Sequence, residues 1–224
     1  MRVLLFGATG MVGQGVLREC LGDAGVASVT SVGRSATGLR HPKLREIIHA
    51  DLLHPAALAP RLVGFDAGFF CLGVSSAGMA EAEYRRLTFD LTLAVARMLA
   101  PGNPGMAFVY VSGEGTDSRG TSRQMWARVK GETENALLRL PFRATFLFRP
   151  GGIQPMHGER PKFRAYALLY TLLRPVFPLL HRLAPKVMTT TEAMGRAMLR
   201  VAREGAPQPV LNTAAINRLG RCTV

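Results

Sequence analysis

Met1-Arg-Val-Leu-Leu-Phe-Gly7-Ala-Thr-Gly10-Met-Val-Gly13-Gln-Gly15 is the stretch that decides the fold. Val3 to Phe6 is an apolar run of strand length, and it stops abruptly at a glycine. Gly7, Gly10 and Gly13 then recur every three residues and lead into an apolar pattern with helical spacing. A buried strand, a tight turn and a helix N-terminus, in that order, make a cradle for a pyrophosphate. Gly7 permits the sharp turn, Gly10 lets the backbone approach a phosphate, and Gly13 lets the helix pack close to the strand. The helix start, with Thr9, Met11 and Val12 among the glycines, offers N–H groups and a partial positive charge to the anion. A purely structural turn is the competing reading, and the apolar strand in front of the glycines favours the nucleotide site.

Outward from this turn, Val12, Val16, Leu17, Cys20 and Leu21 give the first helix one apolar face. Ser28 to Val32 reads as a second strand and ends in Gly33-Arg34-Ser35. A dinucleotide fold meets the adenosine ribose at this point, where an acidic residue would select NAD. No acid stands here. Arg34 can pair with a 2′-phosphate and Ser35 can hydrogen-bond it, which predicts NADP rather than NAD. A solvated loop arginine is the alternative. Leu44 to His49 gives a third strand, followed by Asp51-Leu52. The Asp51 carboxylate can accept from an adenine amino group while Leu52 packs on the ring, or it can cap a short helix around Pro55 to Leu62. Asp66 to Gly73 is a fourth strand, and its last residues, Cys71, Leu72 and Gly73, should wall the cofactor, because ligands gather at the carboxyl ends of such strands. Cys71 reads as a small packing residue, with no base evident beside it.

Ala80 to Ala100 reads as a helix with Tyr84, Leu87, Leu91, Ala94, Val95 and Met98 on one face. Met106 to Val111 is a fifth strand before Ser112-Gly-Glu-Gly115. Ser118 to Leu140 is a second long helix, and Arg143 to Phe148 a sixth strand closed by Arg149-Pro150-Gly151-Gly152. The alternation predicts an α/β fold, a Rossmann-like doubly wound parallel sheet covered on both faces.

The 224 residues suit one domain spanning 1–224. Hydrophobic residues make up 48% and charged residues 19%, a balance that folds. The formal charge of +13, from 28 Lys+Arg against 15 Asp+Glu, could draw in nucleic acid, anionic lipid or a phosphorylated ligand. Its arginines are scattered singly without a dense basic run, which argues against nucleic acid as the partner. Cys20, Cys71 and Cys222 are odd in number and far apart, so neither a disulfide framework nor a metal site is expected. A reducing cytoplasm is the expected setting. The first apolar run is too short and glycine-broken for a signal peptide, and no stretch reaches the roughly 20 apolar residues of a membrane-spanning helix.

Gly7-Ala-Thr-Gly-Met-Val-Gly13, Asp51-Leu52, Ser112 after the fifth strand, Lys130 and Arg149-Pro150-Gly151 stand in a telling order. In it the chain resembles a short-chain dehydrogenase/reductase of the extended or atypical kind, close to the NAD-dependent epimerase/dehydratase and NmrA-like groups. The resemblance covers nearly the whole chain. It implies that Ser112 orients a substrate carbonyl, that Lys130 holds the nicotinamide ribose, and that Pro150 borders the cofactor. In that family a Tyr four residues before the Lys exchanges a proton with the substrate oxygen, both side chains sharing one helical face. The Lys charge lowers the Tyr pKa. Here that position is Trp126. An indole N–H only donates, so Trp126 can hydrogen-bond or stack on a nicotinamide but cannot exchange a proton. Tyr84, Tyr110, Glu114, Asp117 and His157 are substitutes by residue type alone.

The resemblance also assigns 151–208 to a small, mainly helical lobe that binds substrate or acts as a lid. Between Arg160 and Thr191 there is no Asp or Glu, while Arg160, Lys162, Arg164, Arg174, Arg182 and Lys186 alternate with apolar runs. Pro175 and Pro178 would kink a helix there. An apolar lid, a homo-oligomer surface, and a basic element on an anionic membrane through 160–186 are three readings of it. Thr191 is expected to cap a helix over Ala193 to Arg203. Pro209 to Asn212 would add a last strand, and Asn217 to Val224 reads as weakly structured. Two functions stay open. One is an NADP-dependent oxidoreductase on a small apolar carbonyl, using Ser112, Lys130 and an unidentified proton donor. The other is a cofactor-binding module without turnover that meets a regulatory protein. A sugar-nucleotide epimerase is a third, and it also needs the missing tyrosine.

Overall fold

The computed structural model describes residues 1–159 and 187–221. In chain order its strands are β1 (Arg2–Phe6), β2 (Ser28–Gly33), β3 (Leu44–Ile48), β4 (Ala67–Phe70), β5 (Ala107–Val111), β6 (Ala144–Arg149), β7 (Gly152–Gln154), β8 (Met188–Thr190) and β9 (Val210–Asn212). Seven of them form one sheet in the order β3-β2-β1-β4-β5-β6-β9, every neighbouring pair parallel. β7 and β8 make a separate parallel pair. The order reverses direction between β1 and β4, which is where a doubly wound sheet opens its ligand crevice. The Rossmann-like expectation holds.

Helices cover both faces, so the central strands are apolar over residues 3–6, Ala67–Phe70 and Ala107–Val111. Val3, Leu5, Phe69 and Val109 face one core with Val16, Leu17 and Cys20 of α1 (Met11–Gly22). Leu4, Phe6, Phe70, Phe108 and Tyr110, alternating with them along the same strands, face the other core. There Phe70 lies 5.6 Å from Phe6, 6.2 Å from Phe108 and 6.0 Å from Tyr110, ring centre to ring centre. The helix expected over 80–100 consists of α2 (Glu81–Arg85), a π-type turn (Arg86–Asp90) and α3 (Leu91–Leu99), and Leu93, Ala96 and Leu99 close this second core.

Four expectations change. The second long helix, α4, spans Met125–Leu137 and does not start at Ser118. The Asp117 carboxylate accepts N–H bonds from Arg119, Thr121 and Ser122 at 2.9, 2.7 and 2.6 Å, and this holds 118–122 as a loop. Around Pro55 the chain forms a 3-10 turn, Pro55–Arg61, preceded by His54. Asp51 does not cap it, because its carboxylate bonds the Leu53 N–H at 2.9 Å and the His54 ring at 2.7 Å. Thr190, not Thr191, caps α5 (Thr191–Glu204): its backbone is extended and its hydroxyl accepts the Ala193 N–H at 3.0 Å. The tail is ordered through α6 (Thr213–Gly220), where Asn212 accepts from the Ala215 N–H and Ile216 is buried.

α5 lies within the segment expected to form a lobe. Met194, Met198 and Val201 pack it instead into the first core beside α1, and β9 extends the main sheet. The lid, oligomer and membrane readings of 160–186 fall outside the described residues. Among the described residues no helix is long and apolar enough to cross a membrane.

Candidate functional site

The turn between β1 and α1 is built by the absence of side chains. Gly7 has φ +86°, and a Cβ on it would come within 2.8 Å of the Cys71 carbonyl at the end of β4. A Cβ on Gly13 would overlap the Gly7 carbonyl oxygen, so α1 reaches the strand only with glycine there. The Gly10 N–H bonds the Gly7 carbonyl at 2.9 Å and closes the turn. α1 has no side-chain cap and no acid in its first turn. Its opening N–H groups, Met11 and Val12 among them, therefore suit an anion in a way that a capped helix would not. Thr9 lies in the same turn, and its carbonyl accepts from the Gln14 side chain at 3.1 Å.

Cys71 continues from β4, its N–H bonding the Phe6 carbonyl at 2.9 Å. Burial pushes its thiol up to about 12, which fits packing rather than nucleophilic chemistry. Leu72 packs on the second core, and Gly73 is exposed beyond it. Arg34 and Ser35 are exposed where the chain leaves β2. Asp51 is exposed too, and its hydrogen bonds from the His54 ring and the Leu53 N–H hold the carboxyl below its usual range. Leu52 is buried in the second core. Near them, the His49 N–H bonds the Gly33 carbonyl at 2.9 Å, and its buried Nε2 has no partner among the described residues. Nothing in the residue pattern marked His49.

Across the sheet, Ser112 is buried at the end of β5, its N–H on the Phe148 carbonyl at 2.8 Å. Its hydroxyl lies 2.8 Å from that of Thr116, which gives its own proton to the Gly113 carbonyl at 2.7 Å. Ser112 is therefore the donor to Thr116, a residue that sequence reasoning missed. Lys130 of α4 donates to the Ser112 carbonyl at 3.0 Å and stands 5.7 Å from the centre of the Tyr110 ring. Desolvation pulls its pKa down to about 8, partly opposed by the charge of Glu134. Trp126 precedes Lys130 by one helical turn, its indole N–H donating to the Gln124 side chain at 3.1 Å. A Cβ on Gly115, where φ is +85°, would lie 3.2 Å from the indole edge. Ser112 and Lys130 thus come together, whereas the Trp126 indole meets Gln124 and Gly115. Pro150 is buried, its carbonyl accepting the Glu114 N–H at 2.9 Å.

The substitute proton donors are mostly spoken for. Burial pushes the Tyr84 and Tyr110 hydroxyls up, and they bond Thr88 and Thr133. Asp117 is held low by the N–H groups of its loop, that of Ser122 foremost. Glu114 is exposed, its carboxylate against Gly151. His157 lines a different cavity of about 640 Å³ beside α1 and α5, with Arg18 and Arg196. No group of three or more His, Cys, Asp or Glu side chains could hold a metal among the described residues.

No family model matches the chain. It is 30% identical over 169 residues to the protein fmp52, mitochondrial, of Aspergillus niger, covering 72% of this chain and 69% of that protein. It is 26% identical over 226 residues to the protein FMP52-2, mitochondrial, of Scheffersomyces stipitis, covering 96% and 94%. Among solved structures, the Bordetella bronchiseptica enzyme WbmF in complex with NAD+ superposes with a TM-score of 0.68 at 15% identity, over 98% of this chain and 76% of that one. An oxidoreductase of the short-chain dehydrogenase/reductase family from Burkholderia thailandensis superposes with a TM-score of 0.69 at 18% identity, over 96% and 92%. The names of the fungal relatives correct the expected cytoplasmic setting, because those proteins are mitochondrial. Unpaired cysteines report a reducing environment and carry no address.

Proposed function

This chain belongs to the short-chain dehydrogenase/reductase superfamily, in the group of the FMP52 proteins, and on that premise we propose that it is an NADP-dependent oxidoreductase of small apolar carbonyl compounds. The observation that carries the reading is the uncapped α1 N-terminus over a turn that only Gly7 and Gly13 can build, facing the same sheet end as Ser112 and Lys130. Residues 7–13 would hold the pyrophosphate, Arg34 and Ser35 a 2′-phosphate, and Lys130 the nicotinamide ribose. The bound nicotinamide supplies or accepts a hydride. Ser112 would turn its hydroxyl from Thr116 toward a substrate oxygen and orient it.

Calorimetry with NADPH and NADH tests the cofactor. Equal affinities, or a preference that survives Arg34→Ala, would remove the NADP assignment. For the reaction, a panel of aldehydes, ketones and quinones is followed by NADPH oxidation, with Ser112→Ala expected to abolish turnover. A second reading, a dinucleotide-binding module without turnover, is favoured by Trp126, whose only polar hydrogen is already given to Gln124. A null across the panel with NADPH bound would select it.

A further inference from the structure

The oxidoreductase reading, on which the proposal below rests, requires a proton, and Trp126 cannot supply it. Ser112 donates a hydrogen bond to Thr116, and the chain of hydroxyls ends at the Gly113 carbonyl, with no titratable group behind it. Tyr84 and Tyr110 are buried in the fold and pushed away from ionisation. Asp117 is bound into its loop as a carboxylate, and His157 lines the cavity beside α1 and α5. Lys130 is different. Its ammonium has three donors, and among the described residues one goes to the Ser112 carbonyl while no hydrogen-bond partner takes the other two.

We propose that the Lys130 ammonium is the proton donor of this site, and that Glu134, held by Arg149, is a positioning residue that sets the Lys130 charge. The charged and titratable groups about Lys130 are few. Glu134 lies one turn along α4 and is 1% exposed, paired to Arg149 from β6, whose guanidinium also reaches the Ser118 hydroxyl. The Tyr110 ring faces Lys130 from β5, with Tyr84 of α2 coupled to Tyr110. Desolvation outweighs the pull of Glu134, which favours the ammonium and is itself hydrogen-bonded to Arg149. In the step, an Nζ–H bond breaks and its electron pair stays on nitrogen. The proton joins the substrate oxygen while the carbonyl carbon takes the hydride that NADPH supplies, leaving NADP and an alcohol. Solvent returns a proton to the neutral amine.

Two readouts test this. In the free protein, ¹³C-methylated lysines are titrated by NMR, Lys130 being assigned by its loss in Lys130→Met. The expected midpoint is about 8, and Glu134→Gln should move it down, because the carboxylate leaves while Arg149 stays. In turnover, kcat/KM for NADPH, which reports groups of the free enzyme, should fall with rising pH through that same midpoint, since only the ammonium donates, and it should shift in parallel in Glu134→Gln. Should Glu134→Gln fail to fold, Lys130→Arg decides. It keeps a cation for the ribose but cannot release a proton, so NADPH affinity should persist while kcat drops roughly 100-fold or more. Turnover whose pH limb ignores the Lys130 titration, a Lys130→Arg variant that keeps most of its kcat, or a limb that vanishes in Glu114→Gln would overturn the assignment alone. No turnover by the wild type at any pH would overturn the oxidoreductase reading with it.

Discussion

The two halves of the sheet's carboxyl end are made of different material. On the β1 side the cradle is backbone, shaped by what Gly7 and Gly13 lack and by an α1 terminus that no side chain caps. On the β5 side the reaching groups are side chains: Ser112 to Thr116, Lys130 to the Ser112 main-chain carbonyl, the Trp126 edge to Gly115, and Arg149 to Glu134. A backbone cradle tolerates little change, because every substitution adds atoms where there is no room. The side-chain end can be rebuilt one residue at a time. The difference teaches that binding and chemistry are separable in this fold.

The largest effect is expected on the β5 side. Arg149→Ala leaves the Glu134 carboxylate, 1% exposed, without its partner. Breaking a buried pair from one side costs about 3–5 kcal/mol, read as a lower urea midpoint at neutral pH. A loss below about 1 kcal/mol, the value of a surface pair, would mean that the two ends differ less in their dependence on buried charge. Next comes Gly13→Ala on the β1 side. Its Cβ meets the Gly7 carbonyl, and pushing helix from strand should cost about 1–3 kcal/mol and weaken dinucleotide binding with it. A variant that keeps full affinity would break the picture of a backbone cradle.

The same division governs how much could be read in the residues. The glycine turn and the order of the strands were legible, because a backbone constraint must be met by glycine and a doubly covered strand must be apolar. That Ser112 and Lys130 meet was legible through their order in the chain. The Glu134–Arg149 pair was not, since it joins residues on two elements that meet only after folding. Thr116 escaped because its role is a hydroxyl contact inside a loop. The start of α4 was misplaced for a related reason. Ser118-Arg-Gly-Thr-Ser122 carries loop-forming residues, and the Asp117 carboxylate collects their N–H groups before a helix can.

Arg34 gives an effect confined to cofactor binding, with less change in stability than Arg149→Ala or Gly13→Ala. It is exposed, so Arg34→Ala should leave stability within about 0.5 kcal/mol. On the proposed NADP reading, Arg34→Ala should weaken NADPH by about 1.5–3 kcal/mol, the range for hydrogen bonds to charged groups, with NADH unaffected. Titration calorimetry of both cofactors reads the pair directly. Equal losses for the two would show that Arg34 acts on general charge and not on the phosphate.

Trp126→Tyr should do least, and that is its value. The indole is half-buried, its edge near Gly115 and its N–H on Gln124, so a tyrosine loses some packing, about 1 kcal/mol. None of those contacts reaches residues 7–13, and NADPH affinity should stay within about twofold, less than 0.5 kcal/mol. The new phenol would stand one helical turn from the Lys130 ammonium, whose charge favours ionisation of a neighbouring hydroxyl. A second titrating group should then appear in the pH profile of turnover while the binding isotherm is unchanged. An affinity change of tenfold or more would show that the indole supports the cofactor, and the backbone end and the side-chain end would have to be treated as one site.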